Sequence, residues 1–142
     1  KGKVAAYVTD FPTDEMLCVD GVIAIPHLGA STPESEDNCA DMAARQLIDY
    51  IENGNITNSV NMPAISMPRS GKFRVCVIHK NIPNMLTAIT GIVAENNVNI
   101  ENMLNKSRGD YAYTMLDINV DDTATVKERI AAIDGVIKVR VI

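Results

Sequence analysis

The stretch "FRVCVIHKNIPNMLTAITGIVAENNVNI", residues 73–100, decides the fold. Its opening residues alternate between apolar and polar, which predicts a strand. Pro83 then opens a predicted helix that ends at Asn96-Asn97. The apolar residues that share one face of this helix are Leu86, Ile89 and Val93. Another apolar run begins at residue 98, so the stretch predicts a strand–helix–strand unit.

The residues that follow extend this unit to four strands. Predicted strands at 98–107 and 111–120 flank Gly109-Asp110, a strong hairpin signal. A second helix, capped at residues 121–123, carries Val126, Ile130 and Ile133 on one face and ends at Gly135. The closing "VIKVRVI" is a strand. The order βαββαβ predicts a ferredoxin-like unit, with one antiparallel sheet and both helices on one face. We expect the other face to be solvated or paired with another subunit.

The first half of the chain has a different pattern. Residues 3–9 and 22–25 resemble short buried strands, and a long helix follows, starting at Ser31 or at Thr32-Pro33 and ending at Asn53-Gly54. Its wide apolar face needs more surface than two short strands supply. We therefore expect an α/β fragment of a longer protein.

The predicted domain boundaries follow from these two halves. Residues 1–60 form the first part of the chain. Residues 61–72 are rich in Pro, Ser and Gly and predict a linker. Residues 73–142 form the second domain.

Composition narrows the classes of partner. The net charge of −5 argues against nucleic acid and against anionic membranes, since both attract basic surfaces. The apolar runs are far shorter than the ~20 residues of a membrane span. Three widely spaced cysteines without a C-x-x-C pair favour reduced thiols and a cytoplasmic location.

A first candidate site lies in "VIAIPHLGASTPES", residues 22–35. His27 follows a strand end and precedes a helix start, where open α/β sheets bind ligands. Such a histidine can exchange a proton with a substrate hydroxyl or carbonyl while a cofactor carries hydride. A purely structural histidine is the alternative. The nearby carboxylates that could orient it are Asp10, Asp14, Glu15 and Asp20.

Two other kinds of site are not predicted. No glycine pair has G-x-G spacing, so the dinucleotide fingerprint and the phosphate-binding loop are both missing from this sequence. The two histidines are far apart, and no cysteines or carboxylates cluster at ligand spacing, so we expect no metal site.

A second candidate site lies around "HKNIPNMLTAI". His79 and Asn81 end a strand just before a helix, and Asn99 begins the next strand. Asn amides offer both donors and acceptors, and free N–H groups at a helix start favour a carboxylate. These residues therefore suit an amino acid, although capping and turn formation alone could also explain them.

The order of "PHLGAST", a long Ala-rich helix, "NGNITNSVNMP" and a βαββαβ unit resembles the C-terminal part of the D-3-phosphoglycerate dehydrogenase family, with its ACT domain. The likeness covers essentially the whole chain. It implies that residues 1–60 are the C-terminal part of a Rossmann-like NAD-binding and catalytic region, and that residues 73–142 are the ACT regulatory domain. It implies NAD-dependent oxidation of 3-phosphoglycerate to 3-phosphohydroxypyruvate, which opens serine biosynthesis. The glycine-rich loop and the substrate arginine would lie upstream, so this chain alone is expected to be inactive.

The resemblance also implies roles for residues around His27, which matches the catalytic acid/base of the family. The family carboxylate that pairs with this histidine aligns with Asp14, and Glu15 is one residue away. Asp10 would lie near the nicotinamide, with His27 and Gly29 beside the cofactor. This chain reads "TDFPTDEM" where the family has D-V-F-x-x-E-P.

For the second site, the resemblance implies that His79, Asn81 and Asn99 bind L-serine as an effector, in a pocket at the dimer interface of ACT domains. Asn84 replaces a glycine usual in the family. The chain would then form at least a homodimer. Two alternatives stay open: a free-standing ACT module that binds an amino acid without enzyme activity, and a related 2-hydroxyacid dehydrogenase.

Overall fold

A computed structural model describes residues 3–142 of the chain. The chain divides into two compact units, Lys1–Ala43 and Ala44–Ile142, and each is described by itself. No helix among the described residues is long and apolar enough to cross a membrane.

The first unit contains two short strands and the start of a long helix. Strand β1 spans Tyr7–Thr9 and strand β2 spans Val22–Ala24, and the two pair in parallel. A single turn of 3-10 helix, Asp14–Met16, lies between them. The predicted strands are thus present but only three residues long. The interpretation of this segment as part of a Rossmann-like fold stays a prediction.

Helix α1 spans Pro33–Asn53. The Thr32 hydroxyl accepts a hydrogen bond from the Ser35 N–H at 3.2 Å, so Thr32 is the cap and Pro33 the first helical residue. Gly54, at a φ of 73°, ends the helix in the left-handed region that glycine favours. The apolar residues of α1 are largely exposed, with Leu47 and Ile51 at 62% and 60%.

The second unit confirms the predicted βαββαβ order. Its elements are β3 (Phe73–Lys80), α2 (Met85–Glu95), β4 (Asn99–Arg108), β5 (Tyr111–Asn119), α3 (Ala124–Ala131) and β6 (Val136–Val141). The strands form one sheet in the order β4-β5-β3-β6, and all neighbours are antiparallel. Both helices contribute to a core on one face of this sheet. The buried residues of that core are Val75, Val77, Ile89, Val93, Leu116, Ile118, Val126, Ile130 and Val139.

The opposite face of the sheet is covered by the chain that precedes β3. A second buried cluster contains Ile56, Ile65, Met67, Cys76, Tyr113 and Met115. Ile56 and Ile65 form an antiparallel bridge through two backbone hydrogen bonds of 2.8 and 3.0 Å. The expectation that this face is solvated or paired with another subunit was therefore wrong. Residues 61–72 are not a free linker either, since Ile65 and Met67 are 2% and 4% exposed.

A buried ion pair holds this covering segment on the sheet. Arg74 lies on β3 with no exposed surface, and its guanidinium makes two hydrogen bonds, of 2.6 and 2.8 Å, to Asp117 on β5. Its remaining N–H groups reach backbone carbonyls of Asn53, Met67 and Pro68. The segment between α1 and β3 therefore buries the ion pair, and hydrogen bonds from Arg74 in turn hold that segment in place.

The last carbonyls of α1 are also bound by arginines. Arg140 on β6 donates to the carbonyls of Tyr50 and Ile51, at 3.2 and 2.9 Å. Arg69 donates to the Glu52 carbonyl at 3.1 Å. These carbonyls lie at the C-terminal end of the helix and include groups without an intrahelical partner. The arginines donate hydrogen bonds to them and offset the partial negative charge of the helix end.

Candidate functional site

The first candidate site lies at the carboxyl ends of β1 and β2. Asp10 directly follows β1, and His27 lies in the loop after β2. The Nδ1 atom of His27 lies 2.6 Å from the Asp10 carboxylate, and both side chains are about half exposed. The Phe11 ring packs against the imidazole at a centroid distance of 4.4 Å. With Nδ1–H donated to Asp10, Nε2 is left to exchange a proton with a ligand.

The carboxylate beside His27 is that of Asp10. The family resemblance had implied Asp14 at this place. The parallel register pairs Thr9 with Ala24, so the residue right after β1 reaches the loop after β2. Asp14 instead begins the 3-10 helix. A side-chain hydrogen bond from Thr13 lowers the pKa of the neighbouring Glu15, which is thus engaged locally. Gly29 lies in open space, where an added Cβ would meet nothing within 4 Å.

The second candidate site is a pocket of about 190 Å³ at the start of α2. Its lining residues are His79, Asn81, Ile82, Asn84, Met85, Leu86, Thr87 and Asn105. None of them carries a carboxylate, an ammonium or a guanidinium. The predicted residues His79 and Asn81 thus lie together here, and three asparagine amides give the pocket neutral donors and acceptors.

The first turn of α2 forms one wall of this pocket. Asn84 precedes the helix in the left-handed conformation, with a φ of 67°, and its side chain makes no capping hydrogen bond. The first intrahelical bond runs from Ala88 N–H to the Asn84 carbonyl. The earlier N–H groups have no carbonyl partner within the helix, and they give this wall a partial positive charge.

His79 is only 2% exposed and is part of a linear chain of hydrogen bonds. Its Nδ1 lies 2.8 Å from the Lys80 carbonyl, and its Nε2 lies 2.9 Å from the Thr114 hydroxyl. That hydroxyl in turn lies 2.8 Å from Oδ1 of Asn105. Both ring nitrogens of His79 are thus occupied inside the protein, although His79 and Asn105 both line the pocket. Asn105 was missed from the sequence, although the hairpin register around Gly109 places it opposite Thr114.

Asn99 does not line this pocket within one chain. It begins β4, pairs with Asn119 and donates to the Glu101 carboxylate at 3.2 Å. Six positions separate it from Asn105 on the same strand, which corresponds to about 20 Å. Within one chain, β4 thus carries Asn99 away from the pocket that His79 and Asn81 line. The prediction that these three residues converge at a dimer interface stays a prediction.

This chain is similar to a family of ACT domains and to proteins named D-3-phosphoglycerate dehydrogenase. The sequence model of the AHAS small subunit-like ACT domain family matches residues 75–138. D-3-phosphoglycerate dehydrogenase of Escherichia coli strain K12 is 36% identical over 134 residues, which cover 92% of this chain and 33% of that protein. D-3-phosphoglycerate dehydrogenase 1 of Saccharomyces cerevisiae is 34% identical and covers 82% of this chain and 25% of that protein.

A solved structure resembles part of the chain. The ACT domain from GTP pyrophosphokinase of Chlorobium tepidum covers 49% of this chain and 95% of its own, with a TM-score of 0.45 and 18% identity. The family match and the βαββαβ sheet identify an ACT-domain, ferredoxin-like fold in the second unit. The resemblance to phosphoglycerate dehydrogenases is confirmed, and the chain spans about a third of the length of the bacterial relative.

Proposed function

This chain is homologous over 92% of its length to proteins named D-3-phosphoglycerate dehydrogenase, and from this homology we propose that it is the C-terminal part of such an enzyme. The whole protein would oxidise 3-phosphoglycerate to 3-phosphohydroxypyruvate with NAD, in the cytoplasm. The observation that supports this proposal most directly is the 2.6 Å contact between His27 and Asp10, at the strand ends where this fold class binds ligands.

In the proposed reaction, His27 is the acid/base. Its Nε2 takes the proton of the substrate's C2 hydroxyl, while Asp10 orients the ring and stabilises the imidazolium that forms. NAD would supply the hydride acceptor. The described residues fit only the reacting end of that cofactor, beside His27, Asp10 and Gly29, because the sequence contains no G-x-G loop for the phosphates. The 142-residue chain alone is therefore expected to be inactive.

The catalytic proposal is tested in the whole enzyme with variants of Asp10, His27 and Asp14. Asp10→Asn should lower kcat by roughly 10-fold or more, and His27→Ala by about 100-fold, the range for lost acid–base catalysis. Asp14→Asn is the matched control and should retain most activity. Steady-state rates of NADH formation measure all three. A larger loss with Asp14→Asn than with Asp10→Asn would return the pairing role to Asp14.

The pocket at the start of α2 is proposed as an effector site for L-serine. The helix start would accept the carboxylate, and oxygen atoms of Asn81 and Asn84 would accept hydrogen bonds from the ammonium. Asn81 is held in place, since its Nδ2 donates to the Gly109 carbonyl at 3.1 Å. If ACT units pair side by side, Asn99 of a second copy could approach this pocket. We therefore propose at least a homodimer, which light scattering would detect as a multiple of 15.4 kDa.

A free-standing amino-acid-binding module remains the competing function, because the pocket lies entirely within the second unit. Both functions predict serine binding by calorimetry, with Asn81→Ala weakening it by roughly 10-fold or more. They differ in the effect of serine on turnover. Serine that changes the rate of the whole enzyme supports the regulated dehydrogenase, whereas binding without any dehydrogenase activity in the whole protein supports the module.

A further inference from the structure

We propose that Thr9 and Phe11 are positioning residues of the His27 site. Thr9 fixes the turn that carries Asp10, and the Phe11 ring holds the imidazole in the plane in which Nδ1 meets the Asp10 carboxylate. The inference deepens the proposed dehydrogenase function and rests on the proposed acid/base role of His27. Neither residue exchanges a proton, and both act through the imidazole.

Thr9 ends β1 and uses both of its oxygen atoms to join the two segments of the site. Its backbone carbonyl accepts a hydrogen bond from the Ile25 N–H at 3.0 Å. Ile25 follows β2 and lies two residues before His27. The Thr9 hydroxyl accepts a hydrogen bond from the Phe11 N–H at 3.2 Å. One residue is therefore bonded both to the segment that carries His27 and to the segment that carries Asp10.

The hydrogen bond from the Phe11 N–H closes a local turn. A hydroxyl that accepts a hydrogen bond from the N–H two residues later forms a turn that serine and threonine favour. Asp10 is the central residue of this turn, so the bend of the backbone sets the direction of its carboxylate. The turn therefore explains how a half-exposed carboxylate is held 2.6 Å from Nδ1 of His27.

The Phe11 ring supplies a second contact to the imidazole. The two ring centroids are 4.4 Å apart, and the ring planes are tilted by 46°. The terminal torsion of a histidine has a broad energy profile, so a single hydrogen bond at Nδ1 leaves the imidazole free to rock about that bond. A contact on the ring opposes this motion. An aromatic pair of this kind is worth about 2- to 10-fold in an equilibrium constant.

Burial does not account for this placement of Phe11, because the residue is 72% exposed. A substitution at such a position should cost little stability, so an effect on the imidazole can be separated from an effect on the fold. With Nδ1 bound to Asp10 and the imidazole packed against Phe11, Nε2 is left for a substrate. Orientation of this kind favours proton transfer without any new contact to the substrate.

Nitrogen NMR of the 142-residue chain tests the role of Phe11 without any turnover. At about pH 9 imidazoles are neutral and the Asp10 carboxylate can only accept, so the nitrogen shifts of His27 should report a proton mainly on Nδ1. Phe11→Leu keeps an apolar side chain but removes the ring, and the ratio of the Nδ1–H form to the Nε2–H form should fall by about 2- to 10-fold. Phe11→Tyr keeps the ring and should preserve this ratio. A wild-type ratio in Phe11→Leu would overturn the role of Phe11.

A pair of Thr9 variants tests the turn with the same measurement. Thr9→Val keeps the shape of the side chain but removes the hydroxyl, and it should lower the ratio of the two His27 forms by several-fold. Thr9→Ser retains the hydroxyl and should keep the ratio within about 2-fold of the wild-type value. Equal ratios in the two variants would overturn the role of Thr9.

Steady-state rates of the whole enzyme connect this positioning with catalysis. Phe11→Leu should lower kcat by about 2- to 10-fold and leave the KM for 3-phosphoglycerate within about 2-fold, because the ring acts on the imidazole and not on substrate binding. An unchanged kcat in Phe11→Leu beside a large loss in His27→Ala would overturn the inference and leave the acid/base role standing. A wild-type kcat in His27→Ala would overturn the acid/base role instead, and the ratios measured by NMR would still decide whether Thr9 and Phe11 orient the imidazole.

Discussion

Arg74 and Asp117 form the most deeply buried charged pair of the second unit, at 0% and 1% side-chain exposure. Asp117 also accepts hydrogen bonds from the backbone N–H and the hydroxyl of Ser70. Removing one partner leaves the other charge buried without compensation, which costs about 3–5 kcal/mol. We therefore expect Arg74→Met to lower the free energy of unfolding by that amount in urea titrations.

The matched control for this substitution is the exposed pair two residues away. Lys72 lies 3.2 Å from Asp121, and both side chains are well exposed. Lys72→Met should cost no more than about 1 kcal/mol, since solvent screens such pairs. Comparable losses from the two substitutions would contradict the structural role assigned to Arg74.

The same pair predicts a dependence of stability on pH. Burial raises the pKa of Asp117, but the hydrogen bonds from Arg74 and Ser70 outweigh it and hold the pKa below its usual value. A depressed native pKa stabilises the fold fully above the unfolded-state value of about 3.9, and this contribution disappears as the pH falls through the native pKa. The difference in unfolding free energy between the wild-type chain and Asp117→Asn should therefore shrink from about pH 7 to about pH 2.

Asn84 adopts a left-handed backbone conformation that few residue types tolerate. Its φ of 67° lies in the region where asparagine is tolerated, glycine is unstrained and other residues lose about 1–2 kcal/mol. Asn84→Gly should leave the fold as stable as the wild-type chain or slightly more so, and Asn84→Ala should destabilise it by about 1 kcal/mol. Thermal unfolding compares the two variants. An alanine variant as stable as the glycine variant would show that the left-handed conformation is not required.

At the scale of elements, the end of α1 depends on cations contributed from elsewhere in the second unit. Arg140 binds the carbonyls of Tyr50 and Ile51, and its guanidinium lies 4.5 Å from the centroid of the Tyr50 ring. Arg140→Gln should therefore cost about 1–2 kcal/mol and fray the last turn of α1. Hydrogen exchange of the amides near residue 54 would report the fraying. Lys138→Gln, an exposed change on the same strand, should alter stability by less than about 0.5 kcal/mol.

At the scale of the whole molecule, the second unit needs the chain that precedes β3. The residues between α1 and β3 cover Cys76, Tyr113 and Met115, and the Tyr113 hydroxyl donates to the Gly54 carbonyl at 2.9 Å. A chain of residues 44–142 should unfold cooperatively with urea. A chain of residues 73–142 should be much less stable or self-associate, because it exposes an apolar sheet face and unpairs Arg74. Equal urea midpoints for the two chains would contradict this.

Local patterns determined much of the second unit. Alternating strand residues, the Gly109-Asp110 turn and the spacing of Ile89 and Val93 all depend on neighbours a few positions apart, and all of them were read correctly from the sequence. The ends of helix α1 also depend on local sequence: its start at Thr32-Pro33 was one of the two predicted alternatives. Short-range periodicity and capping chemistry are written in consecutive residues, which is why these elements did not need a structure.

Only the tertiary structure decided which distant residues meet. Residues 61–72 have the composition of a linker, yet Ile65 and Met67 are buried because a sheet face and the Arg74 guanidinium lie beneath them. Asp10 reaches His27 ahead of Asp14 because of the parallel register of two short strands. Asn99 and Asn105 share one strand, and its direction alone places Asn105 in the pocket and Asn99 away from it. Such choices depend on register and burial across the chain, which no short window of sequence contains.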